Sequence, residues 1–281
     1  MLRNDFDAHD YINVCALKSD QEIDVGRLAL AMSYDDHTEI SIDRYVNHLN
    51  KLSDEVGRRF VALLEAGSDD DASTRLAALK DVICDQHAYQ LDSEYHEILE
   101  GADLIRVIDR GKGCSAALCV LYIHAARKQG WDVVGLDFPA RFLCRLEYAG
   151  ERMIFDPSSS CTVMKAHNLR AMVKHVLGDS AELSNAYLNG LDVRQTIVHL
   201  FNHLKHRRIE MGEYQQALLM VNRMRILVPN EYRLLLDSGV LCARIGFTER
   251  AIKDLRQYVD KAPSYYDRED AMMLLADLET V

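Results

Sequence analysis

The stretch Gly111-Lys-Gly113-Cys114 is the part of this chain best suited to covalent chemistry. A cysteine that opens a helix sits where the helix N-terminus and a nearby ammonium, here Lys112, both favour the thiolate. A thiolate nucleophile needs an imidazole as base and a carboxylate to orient that base. Asp156-Pro157 closes a strand downstream and offers the carboxylate. The base is expected from the preceding strand, Pro139-Ala-Arg-Phe-Leu143, and that strand supplies Arg141. A guanidinium, with a pKa above about 12, takes no proton under ordinary conditions. The other cysteines, at 15, 84, 119, 144, 161 and 242, form no C-x-x-C pair. They read as reduced, mostly buried thiols rather than a disulfide framework.

A second group is His199-Leu-Phe-Asn-His203-Leu-Lys-His206, three imidazoles at i, i+4 and i+7 on one helix face. The first spacing is metal-compatible, but no H-E-x-x-H pattern accompanies it, and no metal is expected. His199 and His206 fall where a helical groove would be lined, and the three read either as solvated polar residues of that groove or as binding residues that a peptide or protein would contact. The Gly-x-Gly at 111 lacks both a third glycine and a clear preceding strand, so it does not predict a nucleotide site. Trp131, the one tryptophan, reads as a packing residue beside Gly130.

The elements that must position these groups follow from periodicity. Residues 24–32 carry a continuous apolar stripe. Ile42, Tyr45, Val46, Leu49 and Leu52 recur at helical spacing, with Ser41 as the expected N-cap. Residues 66–73 are a polar break, read as a solvated loop, and Thr74–Gln86 is a further amphipathic helix. Gly111–Gly113 is expected to be a flexible loop. Cys114–Gln129 is helical and ends at Gly130, followed by strands at 132–137, 142–148 and 152–155, the last two joined as a hairpin at 149–151. One helix followed by about three antiparallel strands is an α+β pattern, without the alternation of a dinucleotide-binding sheet.

The chain from about residue 163 is helical again and contains a repeat. Gly212 and Gly246, Ala217 and Ala251, and Pro229 and Pro263 are each separated by 34 positions, the period of the tetratricopeptide repeat. Alanine lets paired helices approach, glycine turns the chain and proline ends the second helix. Residues 270–278 read as a final capping helix.

Taken together, Arg110-Gly-Lys-Gly-Cys-Ser-Ala-Ala-Leu118, Phe138-Pro-Ala-Arg-Phe-Leu143 and Phe155-Asp-Pro157 resemble the SirB1-type transglutaminase-like family. That family shows an R-x-G-x-P-x-S-L loop-helix, a P-x-H-F-L strand and an I-D-P strand end. Ala102–Ile108, Arg233–Gly239 and Ala251–Tyr258 extend the resemblance, which spans about residues 25–270. It implies an α+β fold that is mostly helical: a transglutaminase-like, papain-like helix with a small antiparallel sheet, and a helical-repeat tail. The expected division is 1–178, with a helical part to about 100 and a core at about 101–165, then repeats at 179–281. The resemblance also implies a triad, and this chain departs from it. Arg141 stands where the family has histidine, and Ser115 follows the loop where proline is usual. Counted back from Gly130, the nucleophile slot falls at Cys114 or Ser115. Asp156 is kept. An Arg141–Asp156 ion pair would hold the geometry of such a site without its chemistry.

The functional expectation is therefore a degenerate, non-catalytic transglutaminase-like protein that binds a protein or peptide through its repeat groove. The alternative is a cysteine-dependent hydrolase or transferase of amide bonds with Cys114 as nucleophile. No cofactor is expected. The formal charge of −11 disfavours a nucleic-acid partner. No run of about 18 apolar residues exists, so no membrane span is expected, and the acidic first 25 residues are unlike a signal peptide. A cytoplasmic location follows from this reading; oligomeric state does not.

Overall fold

A helix that is apolar on every side must be packed on every side, and Ala116–Ala126 is such a stretch. A computed structural model describes residues 7–37, 39–92, 101–139 and 141–280. The first six residues of the acidic N-terminal stretch, and Ala140 of the arginine-bearing strand motif, lie outside the described residues. In chain order the helices are α1 (Ala8–Leu17), α2 (Val25–Ser33), α3 (Asp43–Glu65), α4 (Ala72–Leu79), α5 (Leu104–Arg110), α6 (Ser115–Lys128), α7 (Ala166–Leu177), α8 (Val193–Glu210), α9 (Tyr214–Leu227), α10 (Arg233–Arg244), α11 (Thr248–Lys261) and α12 (Tyr265–Glu279). The strands are β1 (Gln90–Leu91), β2 (Lys112–Gly113), β3 (Asp132–Phe138), β4 (Arg141–Tyr148), β5 (Glu151–Asp156) and β6 (Thr162–Val163). The fold is thus α+β and mostly helical, with a small antiparallel sheet. No described helix is long and apolar enough to cross a membrane.

The described residues divide into two units: those through Tyr11 with Lys18–Leu200, and Ile12–Leu17 with those from Phe201 onward. In the first unit α6 is the central element, with residues 116–126 all buried. Helices α2 and α3 pack on it, and so do β3 and β4. The sheet runs β3-β4-β5-β6, antiparallel throughout. Its other face is closed by α7, where Leu136, Phe138, Leu143 and Ile154 meet Leu169 and Val173. Trp131 is buried edge-on against Phe60, with Arg75 over both rings and over Tyr148, as a packing residue should be.

Three local expectations are corrected. Ser41 lies one residue outside the N-cap of α3, which is Ile42; its Oγ accepts the Asp43 N–H at 3.3 Å. The segment expected to be one helix to Gln86 is α4 followed by a wider π-helical turn at Lys80–Gln86. Lys112–Gly113 is a strand rather than a free loop, paired in parallel with Gln90–Leu91. The polar break does lead into a helix as expected: Asp71 caps α4 by accepting the Thr74 N–H at 2.7 Å.

Asp24 joins two helices. Its carboxylate caps α2 through the Arg27 N–H at 3.0 Å and meets His124 Nδ1 at 2.9 Å and Lys128 Nζ at 2.8 Å on α6. Burial pushes this carboxyl up, but the hydrogen bond and charge of His124, with the Arg27 and Lys128 bonds, hold it well below the usual range. A depressed carboxyl stabilises the fold above its unfolded pKa of about 3.9 and loses that contribution as pH falls toward the folded value. Asp24→Asn should therefore cost about 1–3 kcal/mol near neutral pH, with the deficit narrowing below about pH 4. Urea unfolding of both proteins across pH checks this; a deficit constant with pH would exclude the carboxylate as its source.

In the second unit α9, α10, α11 and α12 pack in sequence, each on the next. Gly212 and Gly246 turn the chain with φ of 77° and 82°, a region open to glycine. Ala217 and Ala251 are fully buried. A Cβ on Gly239 of α10 would lie 2.6 Å from Leu255 Cγ of α11, so the two helices touch where one has no side chain. Ala251→Leu should overpack this unit and cost about 1–3 kcal/mol, whereas Glu249→Leu, at an exposed position, should change stability by under about 0.5 kcal/mol. Thermal unfolding of the two variants compares them directly; equal small effects would dissolve the repeat.

Candidate functional site

Cys114 is the N-cap of α6, one residue before the first helical position. Its N–H donates to the Gly101 carbonyl at 2.6 Å, and its Sγ accepts the Ala117 N–H at 3.5 Å. The helix start forms where the sequence places it, but the thiolate environment does not. Cys114 is 2% exposed. Burial pushes its pKa up to about 11, and the backbone N–H groups at the helix start recover only part of that. The helix-terminus effect is of order 0.3–1 kcal/mol, too small to offset loss of water around a charged sulfur. Lys112 is exposed and is not among the influences on the thiol.

Ser115, the alternative slot, is half-buried and turned toward the sheet. Its Oγ accepts the Phe142 N–H at 3.2 Å. One turn later, the Cys119 thiol donates to the Phe142 carbonyl at 3.5 Å. The β4–β5 register sets Cys144 opposite Phe155. Continued, it would set Phe142 opposite Pro157, where β5 has already given way to a 3-10 turn. Two side chains four residues apart on α6 therefore take over the backbone groups of Phe142 that β5 no longer reaches. Reading the sequence alone left Cys119 as filler; its i, i+4 relation to Ser115 was the available signal.

Arg141 opens β4 and Asp156 ends β5. Arg141 Nη1 lies 2.9 Å from Asp156 Oδ2, and it donates also to Ser159 Oγ at 2.9 Å and Ser158 Oγ at 3.3 Å. Asp156 is 2% exposed. It accepts from Ser158 N–H at 2.8 Å, Ser158 Oγ at 2.5 Å and Ser159 Oγ at 3.0 Å. The chain then turns back into β6 through Ser160 and Cys161, both left-handed with φ of 50° and 56°. Each costs of order 1 kcal/mol for a residue with a side chain, and the Asp156 bonds to the serines brace that turn. Both carboxylate oxygens are thus occupied by a cation, an amide and two hydroxyls.

Imidazoles near the nucleophile slot were the remaining requirement. Among the described residues none bonds the Cys114 sulfur. His37 pairs with Asp103 at 2.5 Å, His48 with Tyr89 at 2.7 Å, His87 with Glu55 at 2.5 Å and His124 with Asp24. His199, read as a groove residue, belongs instead to the sheet of the first unit. Its ring centroid is 4.6 Å from that of Phe142, and its Nδ1 is 3.6 Å from Asp137 Oδ1. Burial holds its pKa below the ordinary histidine value against the pull of Asp137. His203 is half-buried and His206 exposed, both in the second unit. No three His, Cys, Asp or Glu side chains converge as a metal would need among the described residues.

Comparison with known proteins bears on this geometry. The profile of the transglutaminase-like superfamily matches residues 43–202, more than half of the chain. The chain belongs to the transglutaminase-like superfamily. A tetratricopeptide-repeat profile matches residues 204–276, in agreement with the repeat read from glycine, alanine and proline spacing. The family resemblance carried by the loop-helix and strand motifs is borne out as well. A "UPF0162 protein" of Xylella fastidiosa is 23% identical over 271 residues, covering 95% of this chain and 94% of its own. One from Vibrio cholerae is 24% identical over 69% of this chain and 72% of its own. "Protein SirB1" of Salmonella typhimurium is 24% identical over 57% of this chain and 60% of its own. Among solved structures, menin aligns over 94% of this chain and 72% of its own at a TM-score of 0.34 and 8% identity, too loose a likeness to bear on the fold.

Within this transglutaminase-like domain the cysteine is a neutral, capped thiol. Cys84 is the free cysteine that is not buried. Iodoacetamide at neutral pH should therefore label Cys84 first and Cys114 only on unfolding, as read by peptide mass spectrometry over time. Rapid native labelling of Cys114 would mean that the site opens and that the thiol reaches water.

Proposed function

We propose that this protein is a cytoplasmic, non-catalytic member of the transglutaminase-like superfamily that acts by holding a protein or peptide partner on its tetratricopeptide arm. The observation that carries the non-catalytic half is the saturation of Asp156 by Arg141, Ser158 and Ser159. An orienting carboxylate must leave an oxygen for an imidazole, and its partner here is a guanidinium that accepts no proton. The buried, protonated Cys114 agrees with that reading. The binding half rests on the repeat match and on the chemistry of α8, where exposed His206 and half-buried His203 can each donate or accept.

The competing reading is a cysteine-dependent hydrolase or transferase of amide bonds through Cys114. One pair of measurements on the full chain separates them. Purified protein is assayed for release of ammonia from glutamine-containing peptides and for incorporation of a fluorescent amine, beside Cys114→Ala. In parallel, a photo-crosslinking residue is placed at 206, and at exposed 249 as control, in native extract. The expected result is no Cys114-dependent turnover and a discrete protein adduct from 206 but not from 249. Turnover abolished by Cys114→Ala would replace this proposal with the enzymatic one.

A further inference from the structure

A stack of helical repeats needs a polar outer face on the helix that closes it, because no further repeat covers that face. Helix α12 departs from this. Counted from Pro229 and Pro263, the 34-residue repeat sets Tyr266, Glu269, Met272, Met273 and Ala276 where the preceding unit has Tyr232, Leu235, Ser238, Gly239 and Cys242. In that preceding unit the face is covered by α11. Leu235, Ser238, Gly239 and Cys242 are all buried. Ser238 Oγ donates to Asp254 at 2.6 Å, and the Tyr232 ring stacks on that of Tyr258 at 5.9 Å. On α12 the same face is open: Tyr266 is 86% exposed, Met272 46% and Met273 57%, and Glu269 and Ala276 are exposed beside them. The opposite face, with Ala271, Leu274, Leu275 and Leu278, is the one that packs with Leu255 and Tyr258 of α11.

The repeat therefore defines a seat for one more helix, and the charge around the seat selects it. Glu269, Asp270 and Asp277 are exposed, and among the described residues none of them has an ion-pair partner. Arg268, the one basic residue of α12, is tied to the Ala262 carbonyl at 2.8 Å. Two copies of α12 laid together would set these acids against one another. A helix with lysine or arginine beside its apolar stripe meets them with the opposite charge, and its long side chains cover apolar surface on the way. Met273 stands where Gly239 lets α11 come close, so the occupant lies further out, and the flexible thioether side chains fill the wider gap. We infer that the outer face of α12 seats an amphipathic helix of another protein, apolar along one stripe and basic along its edges. The face is on α12, away from His203 and His206 of α8 in the chain, and the inference does not rest on the contact proposed there.

The test uses the full chain with carbon-13 in its methionine methyl groups and two stapled helical peptides copied from residues 247–262. The basic peptide carries Glu249→Lys and Asp260→Lys at its edges, and Asp254→Leu because Ser238, which Asp254 bonds, is replaced by Met272 on α12. The acidic peptide carries Asp254→Leu with Arg250→Glu, Lys253→Glu, Arg256→Glu and Lys261→Glu. At low salt the basic peptide should shift the Met272 and Met273 methyl signals and leave that of Met211, also exposed, in place. The acidic peptide should bind about ten-fold more weakly, the sum of a few exposed ion pairs, and salt should narrow the gap. Asp270→Asn with Asp277→Asn should narrow it too. Met272→Gln with Met273→Gln should weaken the basic peptide about ten-fold through lost apolar burial, with thermal unfolding unchanged because both side chains are exposed. No shift at millimolar basic peptide, equal binding of the two peptides, shifts at Met211 instead, or unchanged affinity in the double methionine variant would each overturn the inference. So would a dimer of the native chain in sedimentation that the same variant dissociates, which would give the face to a second copy.

Discussion

Burial of α6 from Ala116 to Ala126 is the constraint on which the first unit depends. Most polar groups on this stretch are met by protein rather than water, although His124 Nε2 is buried with no hydrogen-bond partner among the described residues. Cys114 caps its start, Ser115 and Cys119 take up the backbone of Phe142, and His124 reaches Asp24. Just past its end, Gln129 donates to the Ser53 carbonyl at 2.8 Å. These bonds fix where α2, α3 and β4 lie. They also account for the buried state of Cys114, whose sulfur closes a helix end that faces the interior.

Much of this architecture could be read from residue order. Gly130 marked the end of α6, the Ala149-Gly150 turn marked the β4–β5 hairpin, and paired glycine, alanine and proline marked the helical repeats. The missed parts were short or depended on distant packing. β1, β2 and β6 are two residues each, too brief for alternation to register. The π-helical turn after α4 has the same apolar periodicity as a helix over one turn. At the candidate site the residue types were legible and their state was not. Sequence shows that Cys114 begins a helix, but only packing shows that burial outweighs the helix terminus. The Asp156-Pro-Ser-Ser159 string did hold a local signal, since aspartate followed by serines favours a side-chain-bonded turn. His199 misled because its spacing to His203 and His206 is real, while Phe142 decides where its ring lies.

The second unit follows a different logic. Its repeats share their turns, yet their buried polar contacts are not copies. Lys205 of α8 is 4% exposed and bonds Asp237 at 2.5 Å and Asn202 at 2.9 Å. Arg225 of α9 and Ser238 of α10 converge on Asp254 of α11 at 3.0 and 2.6 Å. Unlike networks at successive levels tell one hairpin from the next. A repeat built on small apolar residues alone would permit several stackings.

The saturated Asp156 also bears on how this chain could change over time. An imidazole at 141 would meet an acid whose oxygens still receive Ser158 and Ser159, on a turn that needs those bonds. The Cys114 sulfur, for its part, accepts an N–H of its own helix at 3.5 Å. Freeing the acid means altering the serines, and freeing the sulfur means giving α6 another cap. An imidazole at 141 would thus call for the serine turn to rearrange with it, since Ser158 and Ser159 already bond the acid.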